Sequence, residues 1–189
     1  MNGPRKTLTD VLGDAQKWGT LGRRSVSEVI DHARQFLAPL QDCAGPVLDI
    51  GTGAGVPGLI IATDRPDLEL VLTDRRATRM DALRRGVAAM GLAGRVTVVT
   101  ADVEDLARDP QHAHRYAAVV SRGFGPPEIT LRLALPLAKN GGVVVISEPP
   151  PDTPPRWKTE LLEECQVTLN VDHPGVAVFH VKPRESQSP

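Results

Sequence analysis

Val47-Leu-Asp-Ile-Gly-Thr-Gly-Ala-Gly-Val-Pro-Gly58, followed by Leu59-Ile-Ile-Ala62, decides the fold. A short apolar run carries an acid near its end, glycines alternate at Gly51, Gly53 and Gly55, and an apolar helix-like segment follows. The pattern predicts a buried parallel strand, a tight turn and a helix N-terminus. Glycine permits a positive-φ turn and lets the backbone come close to a ligand. In doubly wound folds that crevice, at the carboxyl ends of the strands, is where nucleotides sit.

Outward from this stretch the chain alternates. Strands are predicted at Val47–Ile50, Glu69–Thr73, Arg95–Thr100, Tyr116–Ser121, Val143–Ser147, Gln166–Asn170 and Val176–Val181. Helices are predicted at Ala77–Met90, Glu128–Ala138 and Trp157–Glu164, with Gly91 and Asn140-Gly-Gly142 as stops. Alternating strands and helices imply right-handed βαβ units. The fold class is therefore α/β: a doubly wound, Rossmann-like sheet of about seven strands, mostly parallel, with helices on both faces. The last two strands are joined only by a short segment around His173-Pro-Gly175, too short for a parallel crossover. One of them is expected to run antiparallel.

Upstream, Thr7 to Leu40 reads as helical. Ser25-Val-Ser-Glu28 has capping-box spacing, and Val26, Val29, Ile30, Ala33, Phe36, Leu37 and Leu40 follow at helical intervals. A single domain is expected, with a helical cap over 1–44, a core over 45–183 and a frayed tail over 184–189.

The bulk numbers narrow the function. Net charge is −1, so any nucleic-acid surface must be a local patch. Aromatics are only 3%, which disfavours an extended base-stacking platform. The two cysteines, Cys43 and Cys165, have no metal-like spacing and fit a reducing cytoplasm. No run approaches the ~20 apolar residues that span a bilayer, and Met1–Lys6 lacks an apolar signal core.

Gly53-Ala-Gly55-Val-Pro-Gly58 formally matches G-x-G-x-x-G, for which NAD is the default. Three features point elsewhere. Asp49 sits inside the strand end, where a carboxylate suits a cationic ligand or water better than a pyrophosphate. Pro57 removes an N–H from the helix N-terminus, where a pyrophosphate wants donors. Asp74 ends the second strand, where an acid holds ribose hydroxyls, and Asp102-Val-Glu104 ends the third. S-adenosylmethionine carries adenosine, a sulfonium and an amino acid but no phosphate, and fits this set. Solvated strand-end acids are the alternative reading of Asp74 and Asp102.

These residues resemble class I S-adenosylmethionine-dependent methyltransferases. More narrowly, the chain is similar to the bacterial small-subunit (16S) ribosomal RNA guanine-N7 methyltransferases, the glucose-inhibited division B family. The resemblance rests on Leu48–Leu59, Leu72-Thr-Asp-Arg-Arg76 with Arg79 and Leu83, Asp102-Val-Glu-Asp-Leu106, and Val119-Val-Ser-Arg-Gly-Phe124. Ser147-Glu-Pro-Pro150 with Arg156-Trp157 resembles a shorter branch. Three departures fall near the expected acceptor. Gly123 stands where the family has Ala, and Glu148-Pro149 where it often has Lys-Gly. Asp31-His32-Ala33 is the nearest remnant of its His-x-x-Asp-Ser-Leu segment.

The resemblance implies S-adenosyl-L-methionine as cofactor. Gly51 and Val56 would contact its methionine and ribose portions, beside Asp49, Gly53 and Gly55, and Asp74 would hold the ribose. Val103 and Glu104, following Asp102, would hold the adenine. Arg122 would sit beside the cofactor and orient the acceptor, the one residue given a catalytic role, with no general base expected. Guanine N7 is already a lone-pair nucleophile and needs none. No metal is expected: His112 and His114 form His-x-His without a matching acid or Cys set.

Arg75, Arg76, Arg79, Arg84 and Arg85, with Arg95, gather around the second helix and could bind RNA phosphates. A solvated helix face, interleaved with Asp81, is the alternative. Two further functions stay open at this level. One is the same fold and cofactor acting on a small molecule; the other is an adenosine-ligand or NAD-binding protein without methyl transfer.

Overall fold

The computed structural model describes residues 5–150 and 152–182. The expected tail over 184–189 lies outside the described residues, as do residues 1–4. Strands β1 (Val47–Ile50), β2 (Leu70–Asp74), β3 (Val96–Thr100), β4 (Tyr116–Ser121), β5 (Ala138–Ser147), β6 (Val167–Asn170) and β7 (Val176–Val181) form one sheet. Their order is β3-β2-β1-β4-β5-β7-β6. Strand β7 runs antiparallel to both β5 and β6, and every other pairing is parallel. The expected antiparallel strand is thus β7, and the short connection before it makes a hairpin with β6.

Helices α1 (Leu8–Lys17), α2 (Val26–Ala33), α3 (Gly58–Asp64), α4 (Ala77–Ala89), α5 (Val103–Arg108), α6 (Pro127–Ala134) and α7 (Thr159–Glu164) cover the sheet. Strands β1 and β4 are buried at every residue, as a parallel sheet with both faces covered requires. Side chains alternate between the faces. Val47, Leu70, Leu72, Ala118, Val120 and Val145 pack with Leu59 and Ile61 of α3 and Met80, Leu83 and Val87 of α4. Leu48, Ile50, Val119, Val144 and Ile146 pack with Val103 and Leu106 of α5, Leu131 and Ala134 of α6 and Leu161 of α7. A third cluster seats Leu12 of α1 and Val29, Ile30 and Ala33 of α2 on Val56 and Ile60.

Four boundaries differ from the sequence reading. The segment Thr7–Leu40 is not one helix. Helix α1 stops at Trp18-Gly19, with Gly19 at φ +70, and α2 begins at the expected capping box on Ser25 and Glu28. Short 3-10 turns at Arg34–Phe36 and Ala38–Leu40 follow, the second holding Pro39. The helix expected to run to Ala138 ends at Ala134, because Pro136 cannot supply a helical N–H. Asn140-Gly141-Gly142 then lies inside β5, whose register against β4 shifts there, with Gly141 at φ +70. Helix α7 starts at Thr159, leaving Trp157 outside it.

Helix α5 was not foreseen as a helix. Asp102 caps it by accepting the Glu104 amide at 3.0 Å, and only Val103 and Leu106 are buried, too few to show a period. No helix among the described residues is long and apolar enough to cross a membrane.

Candidate functional site

Strand register brings the site together. Ile50 lies level with Thr73 of β2 and Ser121 of β4, and Asp74 lies level with Thr100 of β3. The residues after these strands therefore share one edge of the sheet, next to the β1/β4 neighbours where strand order reverses. A cleft of about 330 Å³ opens there. Its lining joins Gly51, Asp74, Asp102, Val103 and Phe124 with the arginines Arg75, Arg76 and Arg79.

The glycine turn is held from within. Thr52 donates its hydroxyl to Asp49 Oδ2 at 2.6 Å, and its carbonyl accepts the amides of Gly55 and Val56. The Gly58 amide, first in α3, donates to the same Asp49 oxygen at 2.8 Å. Asp49 is fully buried, so its carboxylate locks the turn and reaches no solvent. Burial pushes its pKa up to about 7, against the opposing pull of the Thr52 and Gly58 bonds and the Arg122 charge. Its other oxygen, Oδ1, is buried with no protein partner among the described residues.

Gly51, Gly53 and Gly55 all have positive φ, at +66, +56 and +95. Their surroundings differ. A methyl group on Gly51 would overlap the Phe124 ring, and one on Gly55 would press on Leu59 and Leu83 at 2.7–2.8 Å. On Gly53 it would meet nothing nearer than Arg79 at 3.8 Å. Gly51 and Gly55 thus serve close packing, while Gly53 leaves its approach open. The Val56 side chain turns away into the cluster beneath α1 and α2.

Asp74 accepts the Arg76 amide on Oδ1 at 2.9 Å and faces the cleft. Asp102 combines its capping bond with a place in the cleft wall. Glu104 stands apart from that wall: it is exposed and paired with Arg108 at 3.3 Å. Arg122 is also outside the lining, although Gly123, Phe124 and Gly125 belong to it. Arg122 is half-buried, with one guanidinium nitrogen unpartnered among the described residues. Burial and the neighbouring Arg24 charge lower its pKa, and Asp49 opposes them. His32 of α2 feels the same cluster, its pKa lowered by burial and by the Arg122 and Arg24 charges.

The arginine group divides. Arg95 is built into the fold, donating to the Leu68 carbonyl at 3.1 Å and to those of Arg65 and Ala62. Arg84 is held by Asp81 at 2.7 Å and Thr100 at 2.8 Å. Arg75, Arg76 and Arg79 face the cleft, while Arg85 lies in a neighbouring groove. His112 bonds to the Tyr116 hydroxyl, and His114 lies 3.4 Å from the Ala138 carbonyl. Neither belongs to a metal-competent group among the described residues.

Sequence reasoning did not foresee how Glu148 is used. It accepts from Arg156 at 2.6 Å and from the Trp157 indole at 2.9 Å, closing the segment after β5. The local signal was the run Arg156-Trp157 following a lone acid.

Comparison with known proteins gives the family and the fold. Residues 15–148 match the family described as GidB, rRNA small subunit methyltransferase G. A ribosomal RNA small subunit methyltransferase G of Moorella thermoacetica is 34% identical over 122 residues, 65% of this chain and 50% of that protein. One of Gloeobacter violaceus is 34% identical over 143 residues, 75% of this chain and 53% of that protein. The chain spans about half the length of the curated relatives it matches. Among solved structures, a putative S-adenosyl-L-methionine-dependent methyltransferase of Methanococcus maripaludis aligns over 100% of both chains. Its TM-score is 0.64 at 16% identity, a likeness of fold. By the extent of the family match, the chain belongs to the rRNA small subunit methyltransferase G family.

Proposed function

We propose that this chain binds S-adenosylmethionine in the cleft at the carboxyl edge and directs its methyl group to N7 of a guanine in small-subunit ribosomal RNA. The observation that carries the cofactor is the pairing of an open glycine turn with an internally consumed helix amide. Gly53 leaves room for a ligand against the backbone, while Asp49 takes the Gly58 N–H that a pyrophosphate would use. An adenosine without phosphates suits that arrangement better than a dinucleotide.

The residues present fit such a group. Asp74 would accept from the ribose hydroxyls, and Asp102 and Val103 would border the adenine. The glycine turn at Gly51 and Gly53 would flank the amino-acid portion. The cofactor supplies an electrophilic methyl group for in-line displacement, so the protein's share is proximity and orientation. The cleft lining holds no His, Cys or Lys among the described residues. Guanine N7 needs no proton removed, which makes it a fitting acceptor. Arg122, beside Asp49 at the end of β4, would position that acceptor rather than exchange a proton with it.

The test is transfer of tritiated methyl from the donor to small ribosomal subunits, or their RNA, from a strain lacking this gene. Label at a guanine, with the base lesion of N7-methylguanosine, is expected. Label in small molecules but not in subunits would replace the acceptor; calorimetric binding of NAD without S-adenosylmethionine would replace the cofactor.

A further inference from the structure

A second cleft, of about 220 Å³, lies between α1 and α4. It is floored where Val11 of α1 packs on Gly86 of α4: a methyl on Gly86 would stand 2.7 Å from Val11. Its rim carries Trp18, Lys6, Arg79 and Arg85, and it reaches Ala54 of the glycine turn. Arg79 lines this cleft and the cofactor cleft alike, so the two are neighbours across that side chain.

Trp18 is the feature that calls for an explanation. It is 59% exposed in a chain with only 3% aromatics, and it is not part of any core cluster. Its backbone is fixed at the C-cap of α1, where its N–H bonds the Asp14 carbonyl. Trp157, the other tryptophan, packs edge-on against Phe179 and bonds Glu148. An indole held at the mouth of a cleft, with no aromatic partner among the described residues, is an open stacking surface.

The charges say what would stack. Asp14 is the one acid of the lining, and Lys6 at 2.6 Å and Lys17 at 3.5 Å already neutralise it. Arg79 and Arg85 have no carboxylate partner among the described residues. They sit about 9 Å apart along the α4 axis, which spreads the positive charge along the cleft. An apolar floor, one free indole and two unpaired guanidiniums suit a single-stranded polynucleotide, whose bases stack and whose phosphates need cations.

We propose that this cleft holds a single-stranded RNA segment flanking the acceptor nucleotide: Trp18 stacks a base, Arg85 contacts a phosphate, and Arg79 stands between this cleft and the cofactor cleft. The inference rests on the RNA reading of the function. It adds a second contact surface, outside the cofactor site, that holds the strand while its neighbouring nucleotide is presented.

Trp157→Phe makes Trp18 the sole tryptophan, so its emission can be followed as an unstructured single-stranded oligoribonucleotide is titrated. Quenching of Trp18 is expected. Trp18→Ala is expected to weaken binding by between about fivefold and a hundredfold. Arg85→Ala should weaken it and reduce the salt dependence by about 0.7 in the log–log slope. Both variants should bind S-adenosylmethionine as the parent does, since neither residue lines the cofactor cleft. If the parent binds RNA and methylates it while both substitutions leave RNA affinity unchanged, the cleft is not the strand site and the function still stands. If the parent binds no RNA at all, both readings fall. Concentration-dependent self-association abolished by Trp18→Ala would assign the cleft to a second copy of the chain instead.

Discussion

The Gly58 amide donates to Asp49 Oδ2 at 2.8 Å, so the acid of β1 ties down the first residue of α3 across the whole glycine turn. The same oxygen accepts from Thr52, and its partner oxygen has no donor among the described residues. The glycine turn is thus held in shape by a buried carboxyl.

That carboxyl gives the protein a pH dependence. Its pKa rises from 3.8 to about 7, chiefly through burial. The native state therefore holds a proton that the unfolded chain has released, and stability falls as pH rises between those values. Asp49→Asn cannot ionise. Urea titrations should show the parent losing stability relative to this variant from pH 4 to pH 7, by on the order of a few kcal/mol. Parallel curves across that range would show that Asp49 does not carry the linkage.

Gly51 and Gly53 should respond differently. Gly51→Ala forces a side chain into positive φ and onto the Phe124 ring, and should cost about 1–3 kcal/mol of stability. Phe124→Ala in the same chain should recover the overlap but not the backbone strain, which a double-mutant cycle in denaturant would read.

Gly53→Val has space around it, so the fold should lose only about 1–2 kcal/mol from its positive φ. Its branched side chain would fill the open approach to the turn. Calorimetry should then find S-adenosylmethionine binding abolished; near-parental affinity would remove Gly53 from the cofactor path.

Asp74→Ala should weaken S-adenosylmethionine by about 1–3 kcal/mol, for charged hydrogen bonds lost to the ribose. The Arg76 amide it now caps sits in an exposed turn and can turn to water, so thermal stability should change little. An unchanged dissociation constant would leave Asp74 as a turn residue only.

Two arginines close in sequence to the cleft should separate stability from binding. Arg95→Ala strips partners from carbonyls between α3 and β2, and should destabilise by about 1–3 kcal/mol. Arg75→Ala should leave the denaturation midpoint in place and weaken RNA binding, read by filter retention at several salt concentrations.

The sheet was legible because a strand buried on both faces reads as a mostly apolar run, as Val47–Ile50 and Tyr116–Ser121 do apart from Asp49 and Ser121. The antiparallel β7 followed from a connection too short for a crossover. Helix α5 was illegible because half of its six residues are charged, only two are buried, and a capping acid starts it. The end of α6 was misjudged because Asn140-Gly-Gly142 reads as a helix stop, whereas it forms an irregular stretch of β5. Among the site residues, Gly51, Asp74, Asp102 and Val103 do meet in one cleft, while Asp49, Gly53, Gly55, Val56, Glu104 and Arg122 stand outside its wall.

By itself the sequence determined the strand–turn–helix unit, the order of βαβ units and the acids at the strand ends, since these depend on neighbours a few residues apart. Tertiary structure alone decided what each polar group faces. It turned Asp49 inward onto Gly58, drew Arg95 into the carbonyls of a distant loop, left Arg79 and Arg85 without a carboxylate partner among the described residues, and stood Trp18 at the mouth of a cleft. Those outcomes depend on contacts between segments far apart in the chain, and composition and spacing carry no record of them.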